Sequence, residues 1–168
     1  YLSLATNAFE KNKSLKLVYC LAEKFGVVNF FWNLNDFSLM NLAEKNIIFC
    51  TAMFKKIDCL NIGGYDSKMI HGLEDWEFWI NLLKTGGEVY RIEKVCFYYR
   101  VKEISMITNL TTKKKQSMID YIHHKHKDFF IKNYSLIIQK KNIEIQKHKS
   151  KLKSKKFLVK KLFRLIFK

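Results

Sequence analysis

His71-Gly72-Leu73-Glu74-Asp75-Trp76-Glu77-Phe78-Trp79 places two adjacent carboxylates between a glycine turn and an apolar helix. Trp76, Trp79, Ile80 and Leu83 recur at i, i+3, i+4 and i+7, a spacing that predicts a helix from Glu74 to about Thr85. Gly86-Gly87 ends it, as glycine commonly ends helices. Acids in a first turn face the positive end of the helix dipole. Taken alone, Glu74-Asp75 is therefore also what many ordinary helix starts look like.

Upstream, Gly63-Gly64-Tyr65-Asp66 forces a turn, because adjacent residues without Cβ allow positive φ or a close backbone approach. Before that turn, Leu2 to Asn12 reads as a helix and Leu15 to Cys20 as a strand. Phe30-Phe31-Trp32 is a weaker strand pattern, and Asp36 is placed to cap a helix through about Glu44. Ile47 to Phe54 is an apolar run of strand length, followed by a short helix from Lys55 to Leu60. Downstream, Glu88 to Ile92 and Cys96 to Val101 read as two strands. Such alternation of helices and strands points to an α/β layered domain.

Hydrophobic residues make up 48% of the chain, enough for a packed core, yet no apolar run approaches the roughly 18 residues of a membrane-spanning helix. With Tyr1 first and no basic-then-apolar leader, the sequence reads as a piece of something longer. Cys20, Cys50, Cys59 and Cys96 stand singly in apolar surroundings without a Cys-x-x-Cys pair, the usage of reduced, buried thiols.

The net charge of +16 is one-sided. Residues 1–110 hold 13 basic and 12 acidic side chains, whereas residues 111–168 hold 18 basic and 3 acidic ones. The expected division is therefore a nearly neutral domain over 1–110 and a basic helical region over 111–168. Helices are expected at about 113–131, 134–149 and 152–167. In the last of these, Leu158, Leu162, Leu165 and Ile166 keep to one side, with Val159 and Phe163 beside them. Lys153, Lys156, Lys160, Arg164 and Lys168 take another side. A basic amphipathic helix of this kind reads as an anchor on an anionic membrane surface; the alternative is a helix that packs its apolar stripe on the domain or on a second copy. His123-His124-x-His126 is no metal tract on a helix, where the three rings fan over different faces.

The order Gly-Gly-Tyr-Asp, then Glu-Asp-Trp, then Tyr99-Arg100-Val101-Lys102-Glu103-Ile104-Ser105 resembles the acceptor-side portion of bacterial family 2 inverting glycosyltransferases with the GT-A fold. The resemblance covers residues 1 to about 107. It implies a partial GT-A domain followed by the basic helical region, and transfer of a hexose from a nucleotide-sugar donor to a glycan or lipid-linked acceptor. Asp75 is implied as the catalytic base, with Glu74 orienting hydroxyls. Such a base need only be ionised at neutral pH, as an ordinary Asp is.

The resemblance further implies substrate contacts at Gly63, Gly64, His71, Gly72, Trp76, Arg100, Lys102 and Ser105. Trp76 offers either a flat face to a sugar or a core side chain, and His71 is either a turn residue or an acceptor contact. Arg100, Lys102 and Ser105 either face the donor phosphates or form a solvated basic loop. Many relatives carry His at the position of Lys102, and Lys is a poor metal ligand. In relatives a preceding half supplies an Asp-x-Asp motif that holds a divalent metal, Mg or Mn, against the diphosphate. No Asp-x-Asp occurs in this chain, so donor and metal are expected to bind only in the full-length enzyme. The implied setting is polysaccharide synthesis for the cell envelope, at the cytoplasmic face of the membrane. The rival reading is a non-enzymatic basic module that binds anionic lipid or nucleic acid; the ordered motifs argue against nucleic acid as the partner. Oligomeric state, donor sugar and linkage are not legible.

Overall fold

The structure, a computed structural model, describes residues 1–103, 111–153 and 155–166, the last stretch without the side chains at 155–157, 161 and 166. In chain order the elements are α1 (Leu2–Lys11), β1 (Leu15–Gly26), β2 (Phe30–Phe31), α2 (Leu39–Glu44), β3 (Met53–Phe54), α3 (Lys56–Asn61), α4 (Glu74–Leu83), β4 (Glu88–Val101), α5 (Thr112–Lys125), α6 (Lys127–Lys153) and α7 (Lys155–Ile166). The α/β layering expected from the sequence is present.

β1 organises an open four-stranded mixed sheet. β4 runs parallel to it along its whole length, from Leu15↔Glu88 to Gly26↔Val101. β3 and β2 share its other edge as short antiparallel partners, at Leu17↔Phe54 and at Glu23↔Phe31. Because a strand's side chains alternate between faces, β1 can supply two cores. Leu17 and Tyr19 join Leu42, Ile47, Ile48, Trp76, Phe78, Trp79 and Leu83 on one face. Val18 and Cys20 join Ala5 of α1 and Ile92 of β4 on the other. Burial on both faces is what makes the strand read as a continuous apolar run.

Several expectations shift in detail. Glu88–Ile92 and Cys96–Val101 form one strand, with register irregularities opposite Cys20 to Ala22 absorbing the polar Glu93-Lys94 between them. Only Met53–Phe54 of the apolar 47–54 run is strand; Ile47, Ile48 and Phe49 are buried outside regular structure. Ser38, not Asp36, caps α2, its Oγ accepting the Asn41 N–H at 3.0 Å, while Asp36 pairs with Arg91 at 2.7 Å. The three basic helices begin and end elsewhere than expected, with the first break at His126.

Those helices also do not begin beyond the core. Ile122 of α5 and Phe129 and Phe130 of α6 are buried in the same cluster as α4. Between them runs a polar link: Glu77, fully buried on α4, accepts from Lys125 at 2.8 Å and lies 2.7 Å from His126 Nε2. Asp66 accepts from Lys125 at 2.6 Å and from the Tyr121 hydroxyl at 2.7 Å. Burial pushes the Glu77 carboxyl up, but His126 and Lys125 outweigh it, and its pKa ends below the ordinary value. Lys125, with its two carboxylates, is raised despite its partial burial. Asp66 is held well below the usual carboxylate range, chiefly by Lys125.

Candidate active site around Asp75

Two consecutive positive φ angles, 103° at Gly72 and 65° at Leu73, bring the chain sharply into α4. Leu73 is the only described non-glycine residue with positive φ, and its side chain gives α4 no cap. A bulky side chain in that region is strained by about 1–3 kcal/mol and persists only where packing holds it; Leu73 packs against the main core. The turn delivers Glu74, exposed, and Asp75, half-buried, as the first two residues of the helix.

Asp75 borders a cavity of about 450 Å³, a size ordinary for ligand clefts. Its Oδ1 accepts the Trp76 N–H at 2.8 Å and its Oδ2 accepts Asn46 Nδ2 at 3.0 Å. Burial nevertheless raises its pKa, with the neighbouring Glu74 charge adding to the rise and the two hydrogen bonds opposing it. Glu74, His71 and Gly72 line the same cavity. Four aromatic side chains, Trp32, Phe49, Phe97 and Tyr99, also line it, with Cys50 and Lys115 bordering it as well.

Four of the residues implied by the sequence thus converge: Glu74, Asp75, His71 and Gly72. The rest are placed otherwise. Gly63 and Gly64, at φ of 83° and 74°, close the end of α3, their N–H groups bonding to Leu60 O and Cys59 O. Tyr65 beside them stacks on Phe78 at 4.4 Å. Trp76 is a core side chain, with its indole N–H donating to Leu42 O at 2.8 Å, so it offers no face to a sugar. Arg100 lies in β4 and Lys102 just beyond it, both exposed and neither bordering the cavity. Ser105 falls outside the described residues. Cys50, read as a buried thiol, is exposed.

Trp32, Asn46, Phe49, Tyr99 and Lys115 were not singled out as site residues from the sequence. Phe97 and Tyr99 did carry a signal, since they alternate on one face of a strand that ends at the Tyr-Arg motif. Asn46 and Lys115 carried none, being single polar residues far in sequence from Asp75.

A larger cleft of about 650 Å³ lies between α1 and β4. Its Glu88 is bonded to Ser14 and Asn12, and neither Glu74 nor Asp75 lines it. The chemistry therefore points to the Asp75 cavity.

A divalent cation wants several hard oxygen ligands. Both Asp75 oxygens already accept hydrogen bonds, and among the described residues no three His, Cys, Asp or Glu side chains converge. His126 is committed to Glu77. The described residues do not fit a metal site.

Among known families, a model described as the N-terminal domain of galactosyltransferase matches residues 29–110 and supports a glycosyltransferase domain. The matched segment contains Trp32, the Gly63-Gly64 turn and the Glu74-Asp75 pair. No curated protein matches the chain.

Proposed function

We propose that this chain is the acceptor-side portion of an inverting, family 2-type glycosyltransferase of GT-A fold, with Asp75 as its general base. The observation that carries the proposal is the position of Asp75, at the first turn of α4 inside a cavity that it shares with Glu74 and His71. Asp75 takes the proton of an acceptor hydroxyl as that oxygen bonds to the anomeric carbon and the bond to the leaving nucleotide diphosphate breaks. The Trp76 N–H and Asn46 hold the carboxylate in place. Its raised pKa, set first by burial, makes it a stronger base than a free Asp. Glu74 is free to orient acceptor hydroxyls.

In this reading the donor nucleotide-sugar and its divalent metal are held by a part of the enzyme outside these 168 residues. The acceptor is a glycan or lipid-linked sugar of the cell envelope, and the basic C-terminal helix rests on the anionic cytoplasmic leaflet. Arg100 and Lys102 remain candidates for the donor phosphates, and Lys115 joins them as a cation at the cavity itself.

The test is Asp75→Asn in the enzyme that includes the donor-binding part. Turnover should fall by about 10²–10⁴-fold, the usual contribution of general-base catalysis, because the amide cannot take the proton. Donor binding measured by calorimetry should stay close to wild type. Wild-type turnover in the variant would end the assignment.

A further inference from the structure

The aromatic part of the Asp75 cavity is placed by sheet register. Ala22 of β1 pairs with Phe97 of β4, and its carbonyl accepts the Trp32 N–H at 2.9 Å, so Trp32 and Phe97 flank one rung of the sheet. Tyr99, two residues past Phe97, pairs with Lys24 on the next rung of the same face. Trp32 meets Phe49 at 4.7 Å and Tyr99 at 5.3 Å between ring centroids, both edge-on. Phe97 completes the set at 5.5 Å from Phe49 and 6.1 Å from Tyr99. Lys24 Nζ sits 4.0 Å from the Trp32 ring centroid and does not border the cavity. The indole is thus fixed from several directions while still bordering open space, half-buried.

The cavity therefore has a mixed lining: fused and single aromatic rings together with the polar groups of Asp75, Glu74, His71 and Asn46. A purely apolar ligand would leave the carboxylates facing hydrocarbon, and a small ion would leave the rings wet. A pyranose suits both: one of its faces is a patch of C–H groups, while its rim is hydroxyls.

We propose that Trp32, supported by Phe49 and Tyr99, is the platform on which the acceptor's sugar ring lies, fixing which hydroxyl reaches Asp75. This rests on the transferase reading and deepens it. It assigns acceptor recognition to Trp32 rather than to Trp76. The preferred ring is one whose C–H groups gather on one face, as in β-linked glucosides and galactosides.

The experiment is saturation-transfer NMR on the full chain with methyl β-D-glucopyranoside, methyl β-D-galactopyranoside and, as a control with hydroxyls but no ring, mannitol. Wild type should saturate the ring protons of one sugar face and leave mannitol dark. Trp32→Ala should weaken glycoside binding roughly tenfold, the scale of one lost aromatic contact. Trp32→Phe should retain most of it. If Trp32→Ala melts well below wild type, Trp32→Leu, nearer in volume and lacking a π face, takes its place. Equal saturation in the folded non-aromatic variant, saturation of mannitol as strong as of the glycosides, or no glycoside signal in wild type would each overturn the platform. None of those results touches the Asp75 turnover assay, so failure of the platform and failure of the transferase reading are separable.

Discussion

At Asp75 two opposing influences meet: desolvation raises the carboxyl's pKa, while the Trp76 N–H and Asn46 lower it, and desolvation prevails. Only the ionised form accepts a proton, so kcat/KM should fall on the acid side with a midpoint above the ordinary Asp value of about 3.9. A pH–rate profile checks this, and a midpoint at or below that value would contradict it. The same shift has a cost in stability. A carboxyl whose folded pKa is raised contributes stability that is present at low pH and lost as pH rises through the folded pKa. Asp75→Asn should accordingly melt no lower than wild type at neutral pH. Cys50 reports on the same environment. It borders the cavity and is exposed, whereas Cys20 is buried and Cys59 and Cys96 are half-buried. Partial burial and then the Asp75 charge push its thiol pKa up. Iodoacetamide should label Cys50 before the other three, faster as pH rises past the usual thiol range, and faster in Asp75→Asn at a fixed pH. Peptide mass mapping decides; earlier labelling of Cys96, or slower Cys50 labelling in the variant, would show that the cavity is misdrawn.

Among the elements, α4 does two jobs from opposite sides. Its first turn aims Asp75 into the cavity, and its buried Glu77 ties it to α5 and α6 through Lys125 and His126. Removing one partner of a buried pair strands the other, at a cost of about 3–5 kcal/mol. Glu77→Gln should therefore lower the unfolding free energy obtained from urea titration by an amount in that range, near its lower end because the amide can still accept from Lys125. Glu77 and Asp66 both have lowered pKa values, so their contribution is present above the unfolded carboxylate range of about 4 and is lost as pH falls through the folded values. The urea midpoint of wild type should drop below that range, and the drop should be smaller in Glu77→Gln. An unchanged midpoint would mean that α5 and α6 are held by Ile122, Phe129 and Phe130 alone. These elements also show what was legible beforehand. The Trp76-Trp79-Ile80-Leu83 stripe is a local pattern at helical spacing, and it lies in the core as the spacing requires. The partners of Glu77 and Asp66 lie some 50–60 positions downstream, in a lysine-rich stretch where no one Lys stands out. Trp32 was hidden for another reason: its role depends on which strand lies across from β2, and register is a property of the pairing rather than of the segment.

Over the whole molecule, the charge is divided more sharply than the packing. Residues up to 110 are nearly neutral, yet the core continues through Ile122 to Phe130, so the basic excess begins inside the packed unit. What lies beyond it differs. Leu158, Val159, Leu162 and Leu165 of α7 are exposed, with Lys160 and Arg164 interleaved. No described helix is long and apolar enough to cross a membrane. An exposed apolar stripe on a basic helix is suited to lying in a lipid headgroup layer: each Lys or Arg near an anionic leaflet contributes roughly 1 kcal/mol, and the leucines anchor the helix once it arrives. The chain should sediment with vesicles containing phosphatidylserine more than with pure phosphatidylcholine, and deleting residues 152–168 should weaken that binding. Leu158→Asp with Leu162→Asp separates lipid from nucleic acid as the partner of this charge. The pair removes two anchors but only part of the positive field, so vesicle binding should be lost while any binding to DNA or RNA weakens modestly. Vesicle sedimentation unaffected by the double change, together with nanomolar, steeply salt-dependent nucleic-acid binding, would reverse the assignment. The basic helices would then be the working part of the molecule, and the Asp75 domain the scaffold that carries them.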